Sequence, residues 1–354
     1  FLMPDFQRFF TGFNGLITGA VVAAVLLLVS IQPMSKANVG QKLELLHVSF
    51  DPTREVIHEI NTSFSDHLKA LKGLNVNILQ SHGGSGSQAR AVVDGLQADI
   101  ASLALWTDIE ILGRKELLHK GWESYRGVEH PPWATAIVFL VRNGNPKKIK
   151  DWDDLTRNDI SIITPNPKIS GNGRLVFLSA WGYSLQKGDS LEKAAEFLQG
   201  IYKNVPVMDA SARASQVTFF QKKIGDVQLA FESEALMAVK ESKGELQIVY
   251  PSVSIRVSPP ISILDKNVDA KSTREVAELY LGYFYSKDAQ RIIAKQGYRP
   301  TDHEVFKEFE KSFPAMTFFD VSLVGKNWTD VQQGFFGEDG IFDQVFKRIR
   351  RDSK

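Results

Sequence analysis

Two α/β units, each a mostly parallel sheet flanked by helices, are what this sequence predicts. Three observations carry that expectation. Strand-like and helix-like patterns alternate from Leu43 onward, residues 134–142 form a continuous apolar run suited to a strand buried on both faces, and strand ends repeatedly lead into small, polar turns that open helices.

Ahead of the first strand, no ionisable side chain falls between Arg8 and Lys36, and residues 15–31 are apolar. That run is long for a signal peptide core and short for a spanning helix. The segment Pro33-Met-Ser-Lys-Ala37 breaks a helix and places Ser35 and Ala37 with the spacing of a signal-peptidase site, which favours export with cleavage near Ala37 over a retained membrane anchor. Cleavage would remove Asp5, Arg8 and Lys36 and leave a formally neutral chain.

Residues 43–50 read as a strand, and a helix follows with Val56, Ile60, Phe64 and Leu68 four apart. A second strand, Val76-Asn-Ile-Leu-Gln80, empties into Ser81-His-Gly-Gly-Ser-Gly86. Beyond it, Ala89, Val92, Val93 and Leu96 form one apolar stripe, with Gln88, Arg90 and Asp94 outside it. Residues 98–105 and 134–142 continue the first unit. In the second, strands are expected at 160–164, 206–208 and 227–231, and helices at about 173–185, 191–202 and 215–223. After 248–250 come a segment at 259–264, a long helix at 272–285 and further helices, more than a second unit needs. The chain is therefore expected to return and complete the first domain: 38–135 with 251–354 as domain I, 136–250 as domain II.

Composition narrows the function. The 354 residues are 43% hydrophobic and 23% charged, and 42 Lys+Arg against 41 Asp+Glu leave a formal charge of +1. No global field recruits nucleic acid or a membrane surface. Zero cysteines exclude thiolate chemistry and cysteine metal sites, and suit an exported protein whose core needs no disulfide. No HExxH zinc motif or calcium loop is present, so no metal or cofactor is expected.

The turns carry the chemistry. The first turn of a helix holds backbone N–H groups without intrahelical partners and the positive end of the helix dipole, and glycines let a ligand approach them. Four such turns occur, two in each unit: Ser49-Phe-Asp-Pro-Thr-Arg54, Ser81-His-Gly-Gly-Ser-Gly86, Thr164-Pro-Asn-Pro-Lys-Ile-Ser-Gly-Asn-Gly-Arg174 and Asp209-Ala-Ser-Ala-Arg213. A cleft between the domains would bring four helix N-termini onto one point and hold an anion with neutral donors.

At this point the chain resembles the periplasmic sulfate/thiosulfate-binding proteins of ABC importers. The resemblance spans residues 43 to about 346. It rests on Val48-Ser-Phe-Asp-Pro-Thr-Arg54, Gln80-Ser-His-Gly-Gly-Ser-Gly86, Val141-Arg-Asn-Gly-Asn-Pro-Lys147, Asp151-Trp-Asp-Asp-Leu155, Thr164-Pro-Asn-Pro-Lys168, Ala180-Trp-Gly-Tyr183 and Tyr298-Arg-Pro300. It implies a two-domain periplasmic-binding-protein fold of type II with a hinge of crossover strands. It also implies a periplasmic monomer that captures sulfate or thiosulfate and delivers it to an ABC permease with its ATPase, itself doing no chemistry.

For the site, the resemblance implies ligand contacts from the backbone N–H groups of Asp51, Ser85, Gly171, Asn172 and Ala212 and from the Ser170 hydroxyl. Two positions depart from the family pattern. Asn172 stands where a second glycine is usual, and Phe231 replaces a tryptophan whose indole N–H reaches the ligand. Phe231 keeps the aromatic surface but has no donor. A cage of donors alone would exclude phosphate, whose proton needs an acceptor.

Two other functions remain to be weighed. Gly84-Ser-Gly-Ser-Gln-Ala89 fits the dinucleotide pattern G-x-G-x-x-A, with Asp108 as the acidic residue downstream, but a complete strand and helix precede it where the fingerprint belongs on the first strand. A membrane-anchored oxyanion sensor would use the same cleft without transport. His82 in the glycine turn is expected to hold the turn rather than touch a ligand, Arg54, Arg174 and Arg213 are not expected to contact the ligand, and Trp152 and Trp181 are expected in the core.

Overall fold

The computed structural model describes residues 43–352. The apolar run at 15–31 and the cleavage expected near Ala37 lie outside the described residues. Among the described residues, no helix is long and apolar enough to cross a membrane.

The first sheet has the order β11-β3-β1-β2. At its centre β1 (Leu43–Phe50) runs parallel to β2 (Val76–Gly83) and to β3 (Ile100–Ser102). Helices α1 (Arg54–Lys72) and α2 (Ser85–Val93) make the crossovers that parallel pairing demands. Helix α1 buries Val56, Ile60, Phe64 and Leu68, as its four-residue spacing predicts, and ends on Gly73 at φ 68°, a left-handed cap that glycine adopts without strain. Helix α2 stops at Val93, so Leu96 lies beyond it. Gln88 is buried, contrary to the expected stripe, because its side chain lies over Gly83, where a Cβ would sit 2.9 Å from the Gln88 Nε2.

After α3 (Trp106–Arg114) and α4 (Arg126–Glu129), the chain leaves this sheet through β4 (Trp133–Ala134). The second sheet has the order β7-β6-β8-β5-β9. It contains β5 (Ile137–Arg142), β6 (Ile162–Pro165), β7 (Val207–Asp209), β8 (Val227–Phe231) and β9 (Leu246–Val249). Helices α5 (Gly171–Gln186), α6 (Leu191–Tyr202), α7 (Ala212–Gln216) and α8 (Glu232–Glu241) connect them. The helix expected at 215–223 is instead α7 followed by a π-helical turn, Val217–Gln221. Strand β5 is antiparallel to both neighbours and β11 is antiparallel to β3. Both strands follow a passage between the lobes, where the chain arrives from the other sheet rather than through a βαβ crossover.

The return path runs through β10 (Val253–Ile255) and β11 (Ile261–Ile263) into α9 (Asp265–Lys271), α10 (Arg274–Tyr283) and α11 (Lys287–Lys295). The single helix expected at 272–285 begins later, because Ser272 takes φ 56° and separates α9 from α10. Then β12 (Arg299–Pro300) pairs with β4, α12 (His303–Glu308) follows, and β13 (Thr317–Phe319) pairs with β10. The last helices are α13 (Trp328–Phe336) and α14 (Ile341–Asp352).

These last elements pack against the second sheet's helix α5. Phe335, Phe336 and Phe342 pack edge-on against Phe177 of α5, within the same apolar cluster as Trp152, Trp181 and Tyr202. The periodicity of α13 and α14 identifies an apolar face but not which sheet receives it. A buried bidentate pair ties the return path to the second sheet: Arg299 Nε and Nη2 reach the two carboxylate oxygens of Glu232 at 2.7 and 2.8 Å.

The C-terminal packing has no slack at Gly182 of α5, where an added Cβ would lie 2.1 Å from the Phe319 ring. Gly182→Ala is expected to destabilise the protein by about 1–3 kcal/mol through overpacking. Thermal unfolding measures it, and Phe319→Leu in the same chain should recover part of the loss.

Candidate functional site

At the C-terminal ends of the parallel strands the backbone must turn into a helix, and the residues there decide what the turn can hold. β1 ends at Phe50 and passes into the short 3₁₀ turn Asp51–Thr53, where Thr53 Oγ1 donates to the Phe50 carbonyl at 2.7 Å. The Asp51 carboxylate is turned to Arg54 at 3.2 Å, so the residue offers its backbone to the cleft. β2 ends at Gly83, Gly84 caps α2 in an extended conformation, and Ser85 is the first helical residue.

The hydroxyl of Ser85 is fully engaged. It donates to the buried Asp108 carboxylate at 2.5 Å and accepts from the Ala104 N–H at 2.9 Å. Burial pushes the Asp108 carboxyl above its ordinary range, while the Ser85 hydroxyl and the charges of Arg174 and Arg90 pull it down. This bracing locks the turn, and the Ser85 N–H, at the helix start, has no intrahelical partner.

In the second lobe, Ser170 caps α5 by accepting from the Gly173 N–H at 3.3 Å. Its lone pair is then in use and its O–H remains free to donate. Gly171 and Asn172 are the first two residues of that helix, with N–H groups that have no intrahelical partner. Gly173 is required sterically, since a Cβ there would meet the Pro165 carbonyl oxygen at 2.5 Å. Ser211 caps α7 in the same manner through the Ala214 N–H at 3.2 Å, and Ala212 opens that helix. Phe231, 1% exposed, ends β8 and precedes α8.

Asp51, Ser85, Ser170, Gly171, Asn172, Ala212 and Phe231 all line one cavity of about 50 Å³. Phe50, Gly84, Ala104, Ile169, Ser211 and Arg213 are among the rest of its wall. That volume admits a small ion and is well short of the roughly 300 Å³ at which organic-ligand pockets begin. A larger cleft of about 380 Å³ adjoins it, sharing Ser85 and Gly171, but its lining is surface-like: Arg114 is paired with Glu110 at 2.8 Å and Lys168 with Asp343 at 2.7 Å.

Among the described lining residues Arg213 is the one cation, and the neighbouring guanidinium groups face carboxylates or carbonyls. Arg54 pairs with Asp51, Arg213 lies 3.8 Å from Glu55 across the cleft, and the Arg174 guanidinium donates to the carbonyls of Pro167 and Lys168. His82 is held at both ring nitrogens, by Ser49 Oγ at 2.6 Å and Gln80 Oε1 at 2.7 Å, which makes it a brace of the turn. Among the described residues no group of acidic or histidine side chains could hold a metal ion. The dinucleotide reading fails on topology: β2, which carries the glycine turn, is an edge strand, with β1 between it and β3.

Sequence reasoning missed the brace on Ser85, having weighed Asp108 only as a dinucleotide acid. It also missed Ser211, although a serine immediately before a short helical pattern is an N-cap signal.

Comparison with known proteins followed the same chain span. Residues 48–299 match the family described as Bacterial extracellular solute-binding protein. The chain is 46% identical over 311 residues to the sulfate-binding protein of Escherichia coli (strain K12), covering 87% of this chain and 94% of that one. It is 43% identical over 304 residues to the thiosulfate-binding protein of Pseudomonas aeruginosa, covering 85% and 92%. The solved structure of the sulfate-binding protein SubI from Mycobacterium tuberculosis superposes with a TM-score of 0.74 at 26% identity, covering 83% of this chain and 99% of that one.

Behind the cavity, Glu234 of α8 accepts from the Phe231 N–H, and its Oε2 is buried without a partner. Burial pushes its carboxyl up to about 8, with Asp51 and Glu55 adding to the rise and Arg213 opposing it. The folded protein thus keeps a proton that an unfolded glutamate, near 4.5, has lost. The resulting stability is fully present below about pH 4.5 and is lost as pH rises toward 8. Urea unfolding across that window should show this slope, and Glu234→Gln should flatten it.

Proposed function

This chain belongs to the bacterial extracellular solute-binding proteins, and we propose that it captures sulfate in the cavity between Ser85, Gly171 and Ala212 and delivers it to an ABC permease with its ATPase. One observation carries the reading. A cavity of ion size lies where helix starts from both lobes meet, and its free groups are backbone N–H donors, the hydroxyls of the capping serines and the Asn172 carboxamide.

The proposed mechanism is capture by closure. The passages at 133–137 and 253–261 act as the hinge, and closing the lobes strips water from the anion. Losing that hydration costs several kcal/mol at least. Hydrogen bonds to a charged acceptor return about 1.5–3 kcal/mol each, so several fixed donors are needed and each one matters. Helix dipoles place partial positive charge at the same point, so the dianion needs no salt bridge. Hydrogen phosphate is disfavoured because its O–H adds a proton donor to a wall made chiefly of backbone N–H donors. No bond is made or broken, and the protein works as an exported, periplasmic monomer.

Thiosulfate is the second reading, favoured by the donorless wall at Phe231. A terminal sulfur is a poorer acceptor than oxygen and loses less against an aromatic face. The thiosulfate-binding relative from Pseudomonas aeruginosa keeps this reading in view.

Isothermal titration calorimetry of the anion-free protein decides between them. Sulfate is expected to bind at micromolar concentration or tighter, with no heat from phosphate; tighter binding of thiosulfate would reverse the assignment, and no heat with either would reject the proposal. Ser170→Ala removes the hydroxyl donor and the helix cap together, and is expected to weaken the preferred anion by about 1–3 kcal/mol, roughly 5- to 150-fold.

A further inference from the structure

Apart from Asn172, each of the polar side chains described around the small cavity has at least one partner. Asp51 is engaged by Arg54, Ser85 by Asp108 and Ala104, Ser170 by Gly173, Ser211 by Ala214, and Arg213 by Glu55. Asn172 is the exception among the described lining residues. It is 4% exposed, and neither Nδ2 nor Oδ1 of its carboxamide has a hydrogen-bond partner. A buried carboxamide left with both ends unpaired is unfavourable, and a bound partner recovers that loss.

The position of Asn172 says what the partner is. It is the second residue of α5, so its own backbone N–H already lies at the positive end of the helix, where an anion settles. The wall formed by Phe231 offers no hydrogen bond at all. A dianion held in this cavity has more acceptor sites than the helix starts satisfy.

We propose that the Asn172 side chain is a ligand-contacting group, donating its Nδ2–H to the bound oxyanion as a second hydrogen bond from that residue and making up for the donor that Phe231 lacks. This rests on the reading of the cavity as an oxyanion site. Asn172 is then a specificity-determining residue: affinity depends on a neutral side-chain amide at this position, and a carboxylate of the same shape is incompatible with the anion.

The test uses sulfate and thiosulfate as probes on the full protein. Calorimetry should show Asn172→Gly weakening the preferred anion roughly 10- to 150-fold, the range for loss of a hydrogen bond to a charged group. Asn172→Asp should abolish binding, since it sets a negative charge against the dianion. In the Asn172→Gly background, Phe231→Trp should recover affinity by supplying an indole N–H.

A second readout is independent of those variants. In ¹⁵N–¹H spectra of the unmodified protein, the side-chain NH₂ pair that Asn172→Gly removes should move on anion addition. An NH₂ pair that stays in place, or affinity within about twofold of the unmodified protein in both Asn172→Gly and Asn172→Asp, overturns the inference while leaving sulfate capture intact. No heat from either anion with the unmodified protein overturns both.

Discussion

A small dianion can be taken out of water only where enough donors already point at one spot. That constraint organises the binding face of this protein. Full positive charges could neutralise the ion, but they would themselves need desolvation, and here each nearby arginine is spent on a carboxylate or a carbonyl. Helix starts are the cheaper device, because their N–H groups are unpaired by construction and are held rigid by the helix behind them. The strand-turn-helix order places such starts at the ends of β1, β2, β6 and β7. The caps from Ser170 and Ser211 and the Ser85–Asp108 brace keep the turns in shape.

Rigid walls require rigid lobes, and the packing supplies them. In the second lobe, α5 is buried along most of its length between its sheet and the aromatic faces of α13 and α14, so the donors at Gly171 and Asn172 sit on an anchored helix. The lobes are linked by the Arg299–Glu232 pair, which is buried and bidentate. Removing one member of such a pair leaves an uncompensated charge, a loss of about 3–5 kcal/mol. The link is therefore fixed at one place while the cavity lies elsewhere.

Much of this was legible in the sequence because it depends on local chemistry. The four-residue spacing of Val56 to Leu68 produced the helix it implied, the apolar run at 134–142 produced the buried strand β5 over 137–142 with Ala134 in the separate β4, and the small-residue turns became helix starts. The seven candidate residues come together around one cavity. What could not be read was long-range partnership. The aromatic face of α13 and α14 fits either sheet in a sequence pattern, and only assembly selects Phe177. The burial of Gln88 follows from the missing side chain at Gly83, a steric gap invisible to periodicity. The Ser85–Asp108 bond joins residues on separate helices, and the unpaired amide of Asn172 depends on what surrounds it in three dimensions.

The most direct test of the account is a crystal structure with selenate in place of sulfate, located by the anomalous scattering of selenium. The account predicts one peak inside the small cavity, with oxygens 2.7–3.1 Å from the backbone nitrogens of Ser85, Gly171 and Ala212, the range expected of charge-assisted hydrogen bonds. A peak in the larger cleft against arginine side chains, or none in the small cavity of a protein that binds the anion in solution, would contradict it.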